Sequence, residues 1–201
     1  MMILIALAIA IVYIWSALIM SKTYNVPLTT IHISSDTATV REGARLIRIE
    51  HCRECHGEQF TGRAFHHFNN KADLVAPNIT PIVSTYSNEE LERLIRHGVK
   101  KNGKSVFFMP SHMYYELKEE SVAKIIAYLR TLKPMPTPSD LPFSSTFYPL
   151  GRLDIIIRKY KGAPERINHK APGQFAQYDT SRIAFGKYLT MTACSNCHGK
   201  I

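Results

Sequence analysis

The chain has 201 residues, a net charge of +9 and four cysteines. At roughly 100–200 residues per domain, that length leaves room for one or two small domains and no more. The basic balance comes without a cationic stripe interleaved with aromatics, so nucleic acid is set aside. Attraction to acidic partner proteins or to anionic lipid remains.

Residues 1–20, MMILIALAIAIVYIWSALIM, carry no charged side chain. Twenty helical residues span about 30 Å, the thickness of a hydrocarbon core. A secretory signal has a basic start, a shorter apolar run and a small-x-small cleavage site, none of which is present. The segment reads as an uncleaved transmembrane anchor, with a cleaved signal as the alternative. Tyr13 and Trp15 lie deeper than an interfacial belt and are assigned no role. Residues 21–34, with Pro27 and several Ser and Thr, read as an extended tether.

A first helix is expected from Asp36 or Thr37, either of which can cap it, with Val40, Ala44 and Ile47 on one face. It runs into Cys52-Arg53-Glu54-Cys55-His56, and Gly57 breaks it. Two thiols three positions apart, followed at once by a histidine, suit covalent haem: each sulfur adds to one vinyl group, and the imidazole takes an axial position on the iron. Disulfides or a zinc site are the alternatives. The motif recurs as Cys194-Ser195-Asn196-Cys197-His198, so all four cysteines sit in the two copies. Haem attachment to such motifs takes place on the outer side of the membrane. That orients the anchor with its N-terminus in the cytoplasm and the body in the periplasm.

Residues 58–86, rich in Gly, Asn and Pro, read as a loop that wraps a ring edge. Ser87 with Glu90 forms a capping box, Leu91, Leu94 and Ile95 give one apolar face, and Gly98 closes this second helix. Its basic residues Arg93, Arg96 and Lys100 read as solvated surface. A loop with Phe107-Phe108-Met109-Pro110 leads to a third helix over 118–132, stopped by Pro134. Prolines at 134, 136, 138, 142 and 149 make the start of 134–178 an extended connector, with a short helical piece over 151–160. A fourth helix is expected from Asp179 or Thr180 into the second motif.

An iron that only transfers electrons takes a second axial ligand, and a methionine raises its potential. Met109 is the first candidate, in a loop rigidified by Pro110; Met113 and Met135 follow, and His66 or His67 would give bis-histidine coordination. A ligating histidine donates its other ring N–H to a fixed acceptor. The carbonyl of Pro77 is the candidate acceptor.

Together these residues resemble class I cytochrome c, and more narrowly the membrane-bound multi-haem cytochrome c subunits that accompany periplasmic alcohol and gluconate dehydrogenases. The resemblance rests on three stretches: Gly43-Ala44-Arg45-Leu46 before the first motif; Ala76-Pro77-Asn78-Ile79-Thr80-Pro81 with Tyr86 to Leu91 and Arg96-His97-Gly98-Val99; and Met109-Pro110 with Ile125 to Pro134. Gly186-Lys187-Tyr188-Leu189 opens the second copy similarly. The resemblance implies an all-α fold: anchor, tether 21–34, a cytochrome c domain over 35–133, a connector over 134–178, and the incomplete start of a second domain over 179–201. It implies haem c at both motifs, held by Cys52, Cys55, Cys194 and Cys197. His56, Met109 and His198 would be iron ligands, and Pro77 would support His56. The expected function is electron transfer between a dehydrogenase or quinol-oxidising partner and an oxidase or soluble cytochrome, with no catalytic residue of the chain's own. The alternatives are a di-haem peroxidase-like enzyme and a cytochrome subunit built into a larger respiratory or photosynthetic complex.

Overall fold

The structure is a computed structural model that describes residues 1–170, 182–194 and 198. The apolar run forms α1 (Met2–Ser21), almost wholly exposed along its length. The main body then opens with α2 (Thr37–Ile49). Asp36 caps it by accepting from the Thr39 N–H at 2.9 Å, and the Ser34 and Thr39 hydroxyls hold its carboxyl well below the usual range. The motif forms a separate short helix, α3 (Cys52–His56). After it come β1 (Arg63–Phe68), β2 (Ala72–Ala76), α4 (Thr80–Thr85), α5 (Asn88–His97), α6 (Ser111–Tyr114) and α7 (Glu119–Leu129). β3 (Thr146–Phe147), α8 (Pro149–Ile156), a 3₁₀ turn over Ala163–Arg166, α9 (Arg182–Leu189) and a π-helical turn over Thr190–Cys194 complete the described elements.

The main core forms where α2 crosses α7. Leu46 and Ile47 meet Val122, Ile125, Ile126 and Leu129, and α5 adds Leu91 and Ile95. The crossing is close because Gly43 has no side chain: a Cβ there would lie 1.9 Å from the Lys124 carbonyl oxygen. The capping box is present, with Ser87 accepting from the Glu90 N–H and Glu90 accepting from the Ser87 N–H. Gly98 closes α5 with φ +66°.

Several expectations differ from the structure. The fold is not all-α, since β1, β2 and β3 form an antiparallel sheet in that order, with Arg63 opposite Ala76 and Ala72 opposite Phe147. The expected loop over 58–86 therefore holds a hairpin and α4. β2 alternates as a half-buried strand should, with Ala72, Leu74 and Ala76 inward, but β1 does not and carries His66 and His67 exposed. The tether packs too: Val26 and Ile31 are buried. Finally, the Pro-rich stretch packs against the body rather than spanning away from it. Met135 accepts from Asn78 Nδ2 at 2.8 Å, β3 joins the sheet, and Phe147 and Ile155 bury with Ala72 and Leu74 in a second apolar cluster. The short helix expected over 151–160 is α8. The basic face of α5 is also engaged: Arg93 donates to Val26 and Lys100 carbonyls, and Arg96 pairs with Glu92 at 3.4 Å. The expected starts of the fourth helix, Asp179 and Thr180, lie outside the described residues, as does Cys197.

Candidate functional site

α2 ends at Ile49, and His51 takes a left-handed conformation, φ +56°. This kink lets α3 start afresh at Cys52 and turn the motif across the end of α2. Within α3 the two thiols stand one helical turn apart and share a face. Gly57, φ +79°, ends the turn directly after His56.

His56 Nδ1 donates to the Pro77 carbonyl at 3.1 Å. A carbonyl only accepts, so Nδ1 carries the hydrogen and Nε2 keeps its lone pair. Burial pushes the imidazole pKa below its ordinary value, with the Pro77 bond opposing. The ring is thus held neutral, as a metal donor has to be.

The acceptor is itself fixed. The Gly62 N–H donates to the His56 carbonyl at 3.0 Å, and the Ile79 N–H to the Phe60 carbonyl at 3.0 Å. Gly62, φ +98°, allows the approach, because a Cβ there would sit 2.8 Å from the Asn78 nitrogen. Asn78 pins the turn after Pro77. Its Oδ1 accepts from the Thr80 N–H and hydroxyl at 3.0 and 2.8 Å, and its Nδ2 donates to Met135 and Thr137 oxygens.

On the other side of α3, burial pushes the Cys52 thiol up to about 12, with the nearby Glu50 adding to the shift. Tyr114 donates its hydroxyl to the Glu50 carbonyl at 2.8 Å, and Thr192 donates to Glu50 Oε1 at 3.2 Å. Glu50 is 3% exposed, its Oε2 has no hydrogen-bond partner among the described residues, and burial raises its pKa to about 7. In the unfolded chain this carboxyl ionises near 4.5. The folded state therefore holds a proton that the unfolded state has released, and the associated stability falls as pH rises from about 4.5 to about 7. At 1.36 kcal/mol per unit the loss is about 3 kcal/mol. Urea unfolding of the haem-loaded protein at both ends of that window is expected to show this loss, and Glu50→Gln to remove most of it.

Met109 is half-buried against the main apolar cluster, against which Cys52 also packs. Met113 is buried inside the body, and Met135 is 40% exposed with its backbone committed to the Asn78 turn. His67 pairs with Asp73, and the His66 ring packs 4.1 Å from that of Phe68. Of the second motif, Cys194 and His198 are exposed. Its leading segment docks on the body: Tyr188 is buried in the main core, and Thr192 bonds Glu50 as above.

The donor set on α3 fits a c-type haem, with two thiols on one face and a neutral imidazole whose Nε2 keeps its lone pair. Residues 40–133, which hold all of it, match the cytochrome c family. This segment is a cytochrome c domain. Covalently bound haem c is what the family implies for it.

Relatives of the cytochrome c domain extend over a longer stretch. The chain is 29% identical over 179 residues to the gluconate 2-dehydrogenase cytochrome c subunit of Pantoea cypripedii, covering 82% of this chain and 38% of that protein. It is 27% identical over 179 residues to the alcohol dehydrogenase (quinone) cytochrome c subunit of Komagataeibacter europaeus, covering 82% and 36%. Against the fructose dehydrogenase cytochrome subunit of Gluconobacter japonicus the identity is 24% over 180 residues, covering 82% and 35%. The chain spans little more than a third of the length of these relatives.

Sequence reasoning missed Glu50, Tyr114, Asn78 and Thr192. Asn78-Ile79-Thr80 does carry a local signal, because Asn with a Thr two positions on marks a side-chain-closed turn. Nothing local marks Glu50 as buried, because its surroundings come from α6 and from the segment after α9.

Proposed function

We propose that the chain is a membrane-anchored electron carrier of the di-haem c type, in which Cys52 and Cys55 would attach the first haem and His56 and Met109 would hold its iron. The observation that carries the reading is the His56–Pro77 bond on a CxxCH helix inside a cytochrome c domain. When bound, haem supplies a reversible one-electron couple at its iron.

The chain's own residues do the rest. Pro77 orients the imidazole and keeps its hydrogen on Nδ1, which strengthens Nε2 as a donor. The cluster around Leu46, Ile47 and Ile126 excludes water from the Cys52 side, which helps to set the potential. Arg53 braces the exposed side: it pairs with Glu58 at 2.8 Å, donates to the Tyr128 hydroxyl at 2.8 Å and lies over the Phe60 ring.

Cys194, Cys197 and His198 form the second attachment site in this reading. The Thr192–Glu50 bond supports a short transfer path, because it ties the chain two residues before one motif to the chain two residues before the other. α1 holds the carrier at the cytoplasmic membrane, with the haem-bearing part in the periplasm. By analogy with the named relatives, electrons come from the catalytic subunit of a dehydrogenase or from a quinol-oxidising partner. They leave to an oxidase or a soluble cytochrome.

The ferric protein is expected to show the weak near-infrared band of methionine–iron ligation. Met109→Ala abolishes it and lowers the potential, whereas Met113→Leu and Met135→Leu leave both unchanged. A band that survives in Met109→Ala assigns the ligand elsewhere.

A further inference from the structure

α8 takes no part in the haem reading, yet it is clasped to the C-terminal half of α1. Arg152 Nη1 donates to the Ser16 hydroxyl at 2.9 Å, and its guanidinium lies 4.2 Å from the centroid of the Tyr13 ring. Ser16 is fully buried beneath it. Further along, Ile19 and Met20 pack on the cluster that holds Phe147 and Ile155. The two helices also end at one carboxylate: Glu165 takes Lys22 at 3.4 Å, the Tyr24 hydroxyl at 2.6 Å, and Arg158.

This packing fixes depth. α1 needs about its full 30 Å to cross a hydrocarbon core. Ser16 stands five residues before its end, about 7.5 Å along the axis, within the roughly 5–10 Å to which interfacial helices sink. If α1 spans the bilayer, α8 cannot stand clear of it. The residues of α8 and its C-terminal end that the protein leaves uncovered have the chemistry such a position demands. Leu150, Leu153 and Ile157 are 51%, 40% and 67% exposed, one helical face at i, i+3 and i+7. Gly151, Asp154 and Ile155 face inward. Arg158, Lys159 and Lys161 follow, all exposed. Lys22 and Arg158 share the single carboxylate of Glu165, so this end stays net positive.

We propose that α8 is a second membrane contact. Leu150, Leu153 and Ile157 enter the headgroup–acyl boundary of the leaflet facing the haem-bearing body, and Lys159 and Lys161 meet anionic lipid phosphates. The inference rests on the reading of α1 as a membrane anchor. Asn69 and Asn70, which share a cavity wall with Leu150, keep the immersion shallow. The body is thereby held in a fixed pose against the lipid rather than swinging on a tether.

The test uses the full haem-loaded chain in vesicles of phosphatidylcholine and phosphatidylglycerol. A fluorophore is attached to a cysteine introduced at Ile9, Leu153, Ile157 or Arg41, with the unsubstituted protein labelled in parallel as background. Lipids carrying a nitroxide near the headgroup are expected to quench Leu153 and Ile157 roughly twofold, as at a boundary depth. Arg41 is expected to stay unquenched, and Ile9 to be quenched by a nitroxide deep in the acyl chain. Ile9 quenched with Leu153 and Ile157 as bright as Arg41 overturns this proposal and leaves the anchor standing. All four unquenched overturns the anchor, and this proposal with it. In phosphatidylcholine alone, quenching at Ile157 is expected to weaken, and Lys159→Glu with Lys161→Glu to remove that lipid dependence. Equal quenching in both lipids overturns the assignment of the lysines to anionic phosphate.

Discussion

Cys52→Ala with Cys55→Ala is expected to take the chain from two covalent haems to one. Thioether attachment needs both sulfurs on the α3 face, and no other cysteine lies in the cytochrome c domain. Haem staining after denaturing electrophoresis, with intact mass, counts what remains. Any haem that stays attached would have to sit on Cys194 and Cys197, so the same variant reports whether the second motif is loaded. Unchanged staining would show that the first motif carries nothing. The variant also loses an apolar contact, because Cys52 packs against the main cluster. His56→Ala separates the two effects. It leaves both thiols in place and removes the Nε2 donor, so attachment persists while the visible spectrum changes.

Gly43→Val is expected to destabilise the body by about 3 kcal/mol or more, the upper end for overpacking, because the obstacle is backbone rather than a side chain that can turn away. The Lys124 carbonyl would lie 1.9 Å from the new Cβ, and Tyr128 Cβ 3.0 Å from it. The strain falls at the α2–α7 crossing, which carries much of the core. At roughly 2–4 °C per kcal/mol for a chain of this size, the melting temperature of the holoprotein should drop by about 6–12 °C. Gly186→Ala is the control. It sits on α9 with no atom of the described residues within 4 Å of its Cβ position. The change there should be neutral or slightly stabilising, as expected for Gly→Ala in an open helix. A Gly43→Val protein that melts with the wild type would mean that the helices can separate without cost.

Much of this architecture was legible because it is written in local chemistry. The capping box at Ser87 and Glu90, the Asp36 cap, Gly98 after α5 and the apolar run of α1 each depend on residues within a few positions of one another. The Pro77 acceptor was legible through resemblance and through the general need of a ligating imidazole for a partner. The hairpin was not. β1 reads Arg-Ala-Phe-His-His-Phe, without alternation, and it becomes a strand only because β2 offers a partner and β3, far along the chain, extends the sheet by pairing Phe147 with Ala72 and Thr146 with Asp73. The engaged arginines of α5 and the buried Glu50 were hidden for the same reason.

By itself, then, the sequence determined the chemistry of the motif: which atoms can bind haem, which residue can be its axial donor, and where helices start and stop. Those properties follow from residue types at short spacing. Only the tertiary structure decided that Pro77 reaches His56, that Asn78 and Gly62 hold it there, that the second motif's leading segment docks at Glu50, and that α8 is carried beside α1. Each of these joins positions far apart in the chain. Their energies come from burial and close backbone approach, which no local pattern encodes.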